Sequence, residues 1–210
     1  MTHDHDKQKL PQREVKRKAI LSAAKELFLD VGFGAASMDA ITQKAGVSKP
    51  TVYNHFGNKE NLFGAIIKDR CHNLLSSLEE SEVPSNDLEL TLRKTAEHFL
   101  GLIMSEPVLA LYRVVIAEAS RFPELALVFY ENGPGQTTEN FARYLSEQSE
   151  QGKLDISNPT KAAEQFFSLL SGHVHMRALL GIASHGDAPD IENHITMAIE
   201  TFLRANRPRS

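Results

Sequence analysis

The chain has 210 residues, of which 41% are hydrophobic, and carries a formal net charge of −4 at pH 7. That length suits one or two domains with their own hydrophobic cores. The single cysteine, Cys71, excludes an internal disulfide, and its place in an apolar helical run favours an inert thiol over a redox sensor. There is no apolar run of the roughly 18 residues that span a membrane and no signal peptide pattern, so we expect a cytoplasmic protein without membrane association.

The charge is divided unevenly along the chain. Residues 1–60 hold ten Lys and Arg against seven Asp and Glu, a net charge of +3, whereas the other residues hold 13 against 20, a net charge of −7. A basic amino-terminal segment followed by an acidic remainder of the chain indicates a DNA-binding domain joined to a second domain. Residues 1–11 are polar and aperiodic, which predicts a disordered tail. The basic residues that follow are predicted to form an arm that reaches DNA phosphates: Arg13, Lys16, Arg17 and Lys18.

Three helices are predicted to enclose one small core near the amino-terminal end. The first stops at Gly32, and its apolar stripe consists of Ile20, Leu21, Ala24, Leu27, Phe28 and Val31. The second is bracketed by Ser37 as its N-cap and by Gly46 as a left-handed stop. The third begins after Ser48 as its N-cap and has Pro50 in its first turn, where a missing N–H costs little.

The third helix has an apolar side and a polar side. Val52 and Phe56, four residues apart, are predicted to point into the core, and Val47 can pack on Val52 as a hydrophobic staple. The remaining circumference offers side chains that can reach base edges and phosphates: Lys49, Pro50, Thr51, Tyr53, Asn54 and His55. A further helix is predicted to start at Asn58, and its N-terminus can bind a phosphate beside Lys59. This layout predicts a helix-turn-helix DNA reader.

Residues 20–67, ILSAAKELFLDVGFGAASMDAITQKAGVSKPTVYNHFGNKENLFGAII, resemble the TetR family of bacterial transcriptional regulators. The run V-S-K-P-T-V-Y-N-H-F-G-N-K is close to the family's most diagnostic segment. The resemblance implies an all-α protein, with a three-helix DNA-binding domain followed by a helical ligand-binding and dimerisation domain. It also implies contacts to DNA: phosphate by Ser37, base edges by Lys49, Pro50 and Thr51, and the DNA backbone by Tyr53, His55 and Lys59, with Asn54 at a position where the family varies.

Some of these residues have ordinary structural alternatives. Tyr53 or His55 could pack at the edge of the small core, and Lys59 could be a solvated lysine. Lys49 and Thr51 have no such role in a core, so they are the firmer candidates for DNA contacts.

Helical periodicity continues to the end of the chain, and no strand pattern competes with it. A long helix is predicted from Lys59 to about Glu80, followed by a linker at 81–87. Further helices are predicted at 87–104, 107–121, 123–150, 159–181 and 190–205, with Gly133-Pro134-Gly135 kinking or splitting the third of them. The predicted organisation is a tail at 1–11, a DNA-binding domain at 12–60 and an effector-binding and dimerisation domain at 61–205.

The last two helices carry broad apolar stripes that suit a dimer interface. One antiparallel pair from each of two subunits would make a four-helix bundle, as the TetR resemblance also implies. A single short reading helix contacts too few base pairs to select a site, which also favours a homodimer. The predicted interface residues are Phe166, Phe167, Leu170, Ile195, Ile199 and Phe202. The alternative is that both stripes close the subunit's own core.

The second predicted domain combines many bulky apolar side chains with a few polar ones, a mixture that can line a small-molecule pocket. The candidate ligand-binding residues are Phe99, Ile103, Tyr112, Ile116, Phe129 and Phe166. They could equally form a solid core. The apolar side chains indicate a small and largely apolar effector. Residues 111–134, LYRVVIAEASRFPELALVFYENGP, also resemble the ligand domains of AcrR-like and AefR-like regulators, a resemblance that names no ligand.

The sequence carries no catalytic, metal or cofactor signature. His173 and His175 are two residues apart, so on a helix they point to different faces and cannot share a metal. There is also no nucleophile elbow or phosphate-binding loop. We interpret the chain as a homodimeric repressor, not an enzyme, that binds a palindromic double-stranded DNA operator and is released by an effector. The alternative is a DNA-binding protein of the same fold that senses no ligand and recruits a protein partner, and a cavity in the downstream helices would distinguish the two.

Overall fold

The computed structural model describes residues 11–79, 87–182 and 190–208, except for the side chains of residues 70–79. Residues 1–10 of the predicted tail, residues 81–86 of the predicted linker and the thiol of Cys71 lie outside this description. Every element of secondary structure in the described ranges is helical, which confirms the all-α prediction. The chain divides into two compact units, unit 1 at Met1–Ile66 and unit 2 at Ile67–Ser210.

Unit 1 is built from α1 (Gln12–Ala35), α2 (Met38–Ala45), α3 (Lys49–Phe56) and the first part of α4 (Lys59–Glu79). The aromatic rings of Phe28, Phe33 and Phe63 form its centre, fully buried and with ring centroids 5.3–5.7 Å apart. Such aromatic clusters add to the stabilisation that burial alone provides. Gly46 ends α2 with a left-handed φ of 65°, as the sequence predicts.

The basic residues that follow the tail belong to a helix, and their contact with DNA phosphates stays a prediction. Arg13, Lys16, Arg17 and Lys18 lie in the first turns of α1, which begins at Gln12. The guanidinium of Arg17 lies 5.9 Å from the centre of the Phe56 ring. The helix extends ahead of its apolar stripe because lysine and arginine are good helix formers and need no core to sit in a helix.

Unit 2 holds the remainder of α4 and the helices that follow it: α5 (Leu88–Ile103), α6 (Glu106–Glu118), α7 (Pro123–Asn132), α8 (Pro134–Glu150), α9 (Pro159–Leu179) and α10 (Ile191–Asn206). The predicted helix at 123–150 is split at Gly133, which lies outside helical geometry and is followed by proline. A second break lies inside α9, where Gly172 has a φ of 28° and the backbone kinks. Both breaks fall at glycines, which tolerate conformations that other residues avoid.

The core of unit 2 lies among α5, α8, α9 and α10. Phe166 of α9 and Phe202 of α10 pack edge to face at 5.1 Å in its centre. Arg113 of α6 donates hydrogen bonds to the carbonyl oxygens of Leu179 (3.0 Å) and Ala178 (2.9 Å). The guanidinium therefore ties α6 to the carbonyl oxygens at the end of α9, a position where basic side chains often bind.

The predicted dimer residues belong to this core. Each of the six side chains is at most 8% exposed in a single chain: Phe166, Phe167, Leu170, Ile195, Ile199 and Phe202. Their assignment to an interface is corrected, because a side chain buried in its own subunit offers no surface to a second copy. The outward sides of α9 and α10 carry other apolar residues, including Leu169 (37% exposed), Met176 (54%) and Met197 (59%).

Among the described residues, no single helix is long and apolar enough to cross a membrane. Helices α5 and α6 reach that length and composition only as a pair, which is bent by 62°. Both helices also bury side chains inside unit 2, such as Leu92 and Leu111.

Candidate functional site

Helix α3 presents a polar face to solvent. Val52 and Phe56 are buried and hold the helix against the core of unit 1. Tyr53 is 42% exposed, so it points outward and does not pack at the core edge. The predicted reading residues Lys49, Pro50 and Asn54 are also exposed, whereas Thr51 and His55 are half-buried. The predicted face is therefore available to DNA in this unit, although Thr51 and His55 are partly covered.

Lys49, at the start of α3, forms an ion pair with Asp39 in the first turn of α2. Nζ of Lys49 lies 2.7 Å from Oδ1 of Asp39, and both side chains are more than half exposed. The hydrogen bond and charge of Asp39 raise the pKa of Lys49, so its charge is retained at neutral pH. Exposed ion pairs contribute little free energy, and Lys49 can therefore exchange Asp39 for a DNA partner at small cost.

Three hydroxyl groups lie at the starts of α2 and α3. Oγ of Ser37 accepts a hydrogen bond from the backbone N–H of Ala40 at 3.1 Å, as predicted for an N-cap. Its O–H remains able to donate to a phosphate oxygen. Ser48 occupies the N-cap position of α3 without capping it, because its Oγ instead lies 2.7 Å from Oγ1 of Thr51. This hydroxyl pair fixes the rotamer of Thr51 on the reading face.

Lys59 has a different role from the predicted grip on the DNA backbone. Its Nζ donates hydrogen bonds to three carbonyls where α1 ends and α2 approaches: Phe33 (2.7 Å), Gly34 (3.4 Å) and Ala36 (3.0 Å). The same ammonium lies 4.4 Å from the centre of the Phe33 ring. An ammonium has three N–H donors, and these bonds account for all of them. We therefore correct its assignment, because Lys59 ties the start of α4 to the α1–α2 connection.

A cavity of about 320 Å³ lies within unit 2. Its walls are largely aromatic and aliphatic, from Phe99, Ile103, Leu111, Tyr112, Phe129 and Phe167. The volume falls at the lower end of the roughly 300–1,000 Å³ typical of small-molecule pockets. Ile67, the first residue of unit 2, also lines the cavity and belongs to α4, the helix that continues from unit 1.

The cavity includes most of the predicted ligand residues but not all of them. Phe99, Ile103, Tyr112 and Phe129 line it. Two assignments are corrected: Phe166 is fully buried in the core of unit 2, and Ile116 is 64% exposed on the outer side of α6.

The polar part of the lining comes mainly from α9, from residues outside the predicted ligand-binding set. Glu164, Ser168, Ser171 and His175 line the cavity together with Phe167. In an unbroken helix, their spacing of three, four, seven and eleven residues from Glu164 would place them on one face. In the structure His175 follows the break at Gly172 and lines the same cavity. That spacing was the signal available in the sequence.

His175 is the unusual member of this face. Its Nε2 is buried and has no hydrogen-bond partner. Its ring lies edge-on to Tyr112, with centroids 5.0 Å apart, and Tyr112 in turn lies 4.7 Å from Phe129. Burial lowers the pKa of His175, so the imidazole is neutral at pH 7. In the described parts of the chain, His, Cys, Asp and Glu form no group of three or more that could hold a metal ion.

Comparison with known protein families accounts for both units. Residues 20–66 match the family described as "Bacterial regulatory proteins, tetR family", and residues 90–208 match "AefR-like transcriptional repressor, C-terminal domain". The chain belongs to the TetR family. As a TetR-family protein it is a DNA-binding transcriptional regulator and not an enzyme, which confirms these two predictions.

Relatives within the family include proteins named for opposite effects on transcription. The chain is 39% identical over 91 residues to the HTH-type transcriptional activator FasR of Mycolicibacterium smegmatis, a match that covers 43% of this chain and only 42% of FasR. It is 34% identical over 122 residues to an HTH-type transcriptional repressor of Mycobacterium tuberculosis, covering 58% and 61% of the two chains.

Solved structures of the family match almost the whole chain. The flavonoid-responsive regulator FrrA is 37% identical, with a TM-score of 0.75 and coverage of 93% of this chain and 98% of FrrA. A TetR-family regulator from Mesorhizobium loti is 28% identical, with a TM-score of 0.77 and coverage of 95% and 100%. The fold of each unit is therefore that of known TetR-family proteins.

Proposed function

We propose that this TetR-family regulator is a repressor that binds a palindromic operator as a homodimer and leaves it when a small, largely apolar effector occupies the cavity of unit 2. The cavity is the observation that carries the proposal. Its apolar walls and few polar groups are the usual features of a small-molecule site. The likeness of residues 90–208 to the carboxy-terminal domain of AefR-like repressors supports repression as the output.

In this proposal α3 reads DNA in the major groove. Lys49, Pro50 and Thr51 approach base edges at the start of the helix, where helix-turn-helix proteins make their base contacts. Ser37, Tyr53 and His55 hold phosphates, and Asn54 completes the exposed face. Phosphate contacts set position and affinity, whereas base contacts select the sequence.

We expect Lys49→Ala to relax sequence preference. Removal of a base-contacting lysine should lower the ratio of operator to random-DNA affinity by roughly tenfold or more, since a good base contact is worth about 1–3 kcal/mol. The matched control is Lys44→Ala, which removes an exposed lysine of α2 that pairs with Glu26 at 2.9 Å. Fluorescence anisotropy on both DNAs measures the ratio, and equal losses on operator and random DNA for Lys49→Ala would refute base readout by this residue.

Helix α4 supplies a physical route from effector to DNA. It begins in unit 1 at Lys59, continues into unit 2 and contributes Ile67 to the cavity wall. An effector that binds better to one position of α4 than to another shifts the population of the two states by that difference in affinity. Release of DNA needs no other source of free energy. FrrA, described as flavonoid-responsive, offers a related case of a small-molecule response.

The outward face of α9 and α10 is our proposed dimer interface. Leu169 lies in a groove between these helices with Thr201 and Ala205, and Met197 precedes Thr201 by one turn of α10. Exposed apolar side chains beside small ones suit close packing of two helical pairs. These exposed residues take the place of the six buried residues that the sequence predicted at the interface, so dimer formation leaves the subunit core intact.

The alternative function is a DNA-binding protein of this fold that recruits a protein partner and senses no ligand. The two functions differ in what the downstream helices must contain, and the cavity favours the ligand-responsive one. A screen in which no small molecule changes DNA release would instead support the recruiting protein.

A further inference from the structure

We propose that His175 is the hydrogen-bonding group that selects a hydroxyl on a neutral aromatic effector. This inference rests on the proposed effector function of the cavity and names the chemical class of the ligand. It follows from three features of the cavity: an unpartnered buried nitrogen, an aromatic wall and the charges of the lining residues.

The first feature is Nε2 of His175, which is buried without a hydrogen-bond partner. A buried polar atom in this state is destabilising, and most such atoms in folded proteins have a partner. His175 lines the cavity, and we infer that a ligand group there supplies the partner that Nε2 lacks. A hydroxyl suits this position whichever ring nitrogen carries the proton, because a hydroxyl both donates and accepts.

The second feature is the arrangement of rings around the cavity. Tyr112 stands edge-on to both Phe129 and His175, and on α5 and α9 the rings of Phe99 and Phe167 lie 4.5 Å apart. Aromatic side chains favour offset-stacked and edge-to-face contacts with other rings. A planar aromatic ligand can make these contacts with Tyr112 while its hydroxyl reaches His175.

The third feature is charge. Among the described lining residues there is no lysine or arginine, and Glu164 is the one charged member, paired with Lys161 at 2.6 Å. A carboxylate or phosphate ligand would lose its hydration without gaining a cation. Burial also lowers the pKa of His175, so the imidazole adds no positive charge at neutral pH.

The serines on the same face can only assist as acceptors. Ser168 and Ser171 donate their hydroxyl protons to the carbonyl oxygens of Glu164 (2.7 Å) and Phe167 (2.8 Å) in the preceding turn. Their remaining lone pairs can accept from a ligand O–H. The polar face of α9 therefore favours ligands that donate hydrogen bonds.

The test compares three probes of nearly the same shape: 2-naphthol, naphthalene and 2-naphthoate. The chain has no tryptophan, so probe fluorescence can be followed without a tryptophan background. We expect 2-naphthol to bind the full-length protein roughly tenfold more tightly than naphthalene, the effect of one hydrogen bond, and 2-naphthoate to bind most weakly. His175→Phe keeps a ring but removes the nitrogen, so it should remove the preference for 2-naphthol while naphthalene still binds.

The matched control is His173→Phe, the same change at an exposed position of α9, which should leave all three affinities unchanged. Naphthalene binding by His175→Phe shows that the cavity is still folded. Equal affinity of the wild type for 2-naphthol and naphthalene, or tighter binding of 2-naphthoate, would overturn the inference, as would loss of both neutral probes in His175→Phe. Binding of 2-naphthol without release of operator DNA would contradict the proposed function and leave the role of His175 supported, whereas no binding by any probe would overturn both.

Discussion

Met197→Glu should convert the protein into a folded monomer, whereas Phe166→Glu should unfold unit 2. Met197 is 59% exposed on the proposed interface, so glutamate there remains solvated in a monomer but would be buried between two subunits. Phe166 is fully buried in the core, and an unpaired charge at that position costs several kcal/mol. Sedimentation velocity and circular dichroism distinguish the two results.

The monomer should also bind the operator at least roughly 100-fold more weakly. In a dimer, binding of one DNA-binding unit raises the effective concentration of the other at its half-site, and a monomer lacks this effect. Ile116→Glu is the matched control, since Ile116 is an apolar residue of unit 2 that is 64% exposed on α6. It should remain a dimer with unchanged operator affinity. A stable dimer of Met197→Glu, with wild-type affinity, would show that the interface lies elsewhere.

Lys59→Met should destabilise the DNA-binding unit by about 1.5–3 kcal/mol, the range for hydrogen bonds that involve a charged group. Methionine keeps the aliphatic stem but cannot donate to the carbonyls of Phe33 and Ala36. DNA binding should fall on every sequence alike, because a disturbed α1–α2 connection displaces Ser37 and α2. Urea denaturation followed by circular dichroism measures the loss.

The salt dependence of binding separates this role from a phosphate contact. A lost phosphate contact lowers the slope of log affinity against log salt by about one, whereas a lost structural contact leaves the slope of the folded protein unchanged. Lys44→Ala, which breaks an exposed ion pair, should change stability by less than about 1 kcal/mol. Wild-type stability with a shallower slope in Lys59→Met would restore the phosphate role.

The reading unit was largely predictable from the sequence because its signals are local. Caps, glycine stops and the spacing of Val52 and Phe56 each specify a feature within a few residues of themselves, and the structure has Gly46 and the N-cap at Ser37 as predicted. The role of Lys59 was not predictable, because its partners lie more than 20 residues away in the chain. A lysine beside a helix start has the same local sequence pattern whether it contacts DNA phosphate or ties two helices together.

The second unit shows where periodicity stops being informative. An apolar stripe indicates a buried face, but it does not say whether the partner is the same chain or a second copy. The stripe through Phe166 and Ile199 packs inside the subunit, while the residues left for an interface, such as Leu169 and Met197, are sparse and form no stripe. His175 was considered only as a metal ligand, since its lack of a hydrogen-bond partner is a three-dimensional property.

Selection of bound sequences from a random DNA pool tests sequence-specific reading by a dimer most directly. The full-length protein should enrich an inverted repeat, with half-site centres separated by one helical turn, roughly 10 base pairs, or a multiple of it. In the same selection, Lys49→Ala should retain the spacing but lose base preference at one position of each half-site. Enrichment of no sequence, or of a single asymmetric site without a repeat, would contradict a dimer that reads DNA through α3.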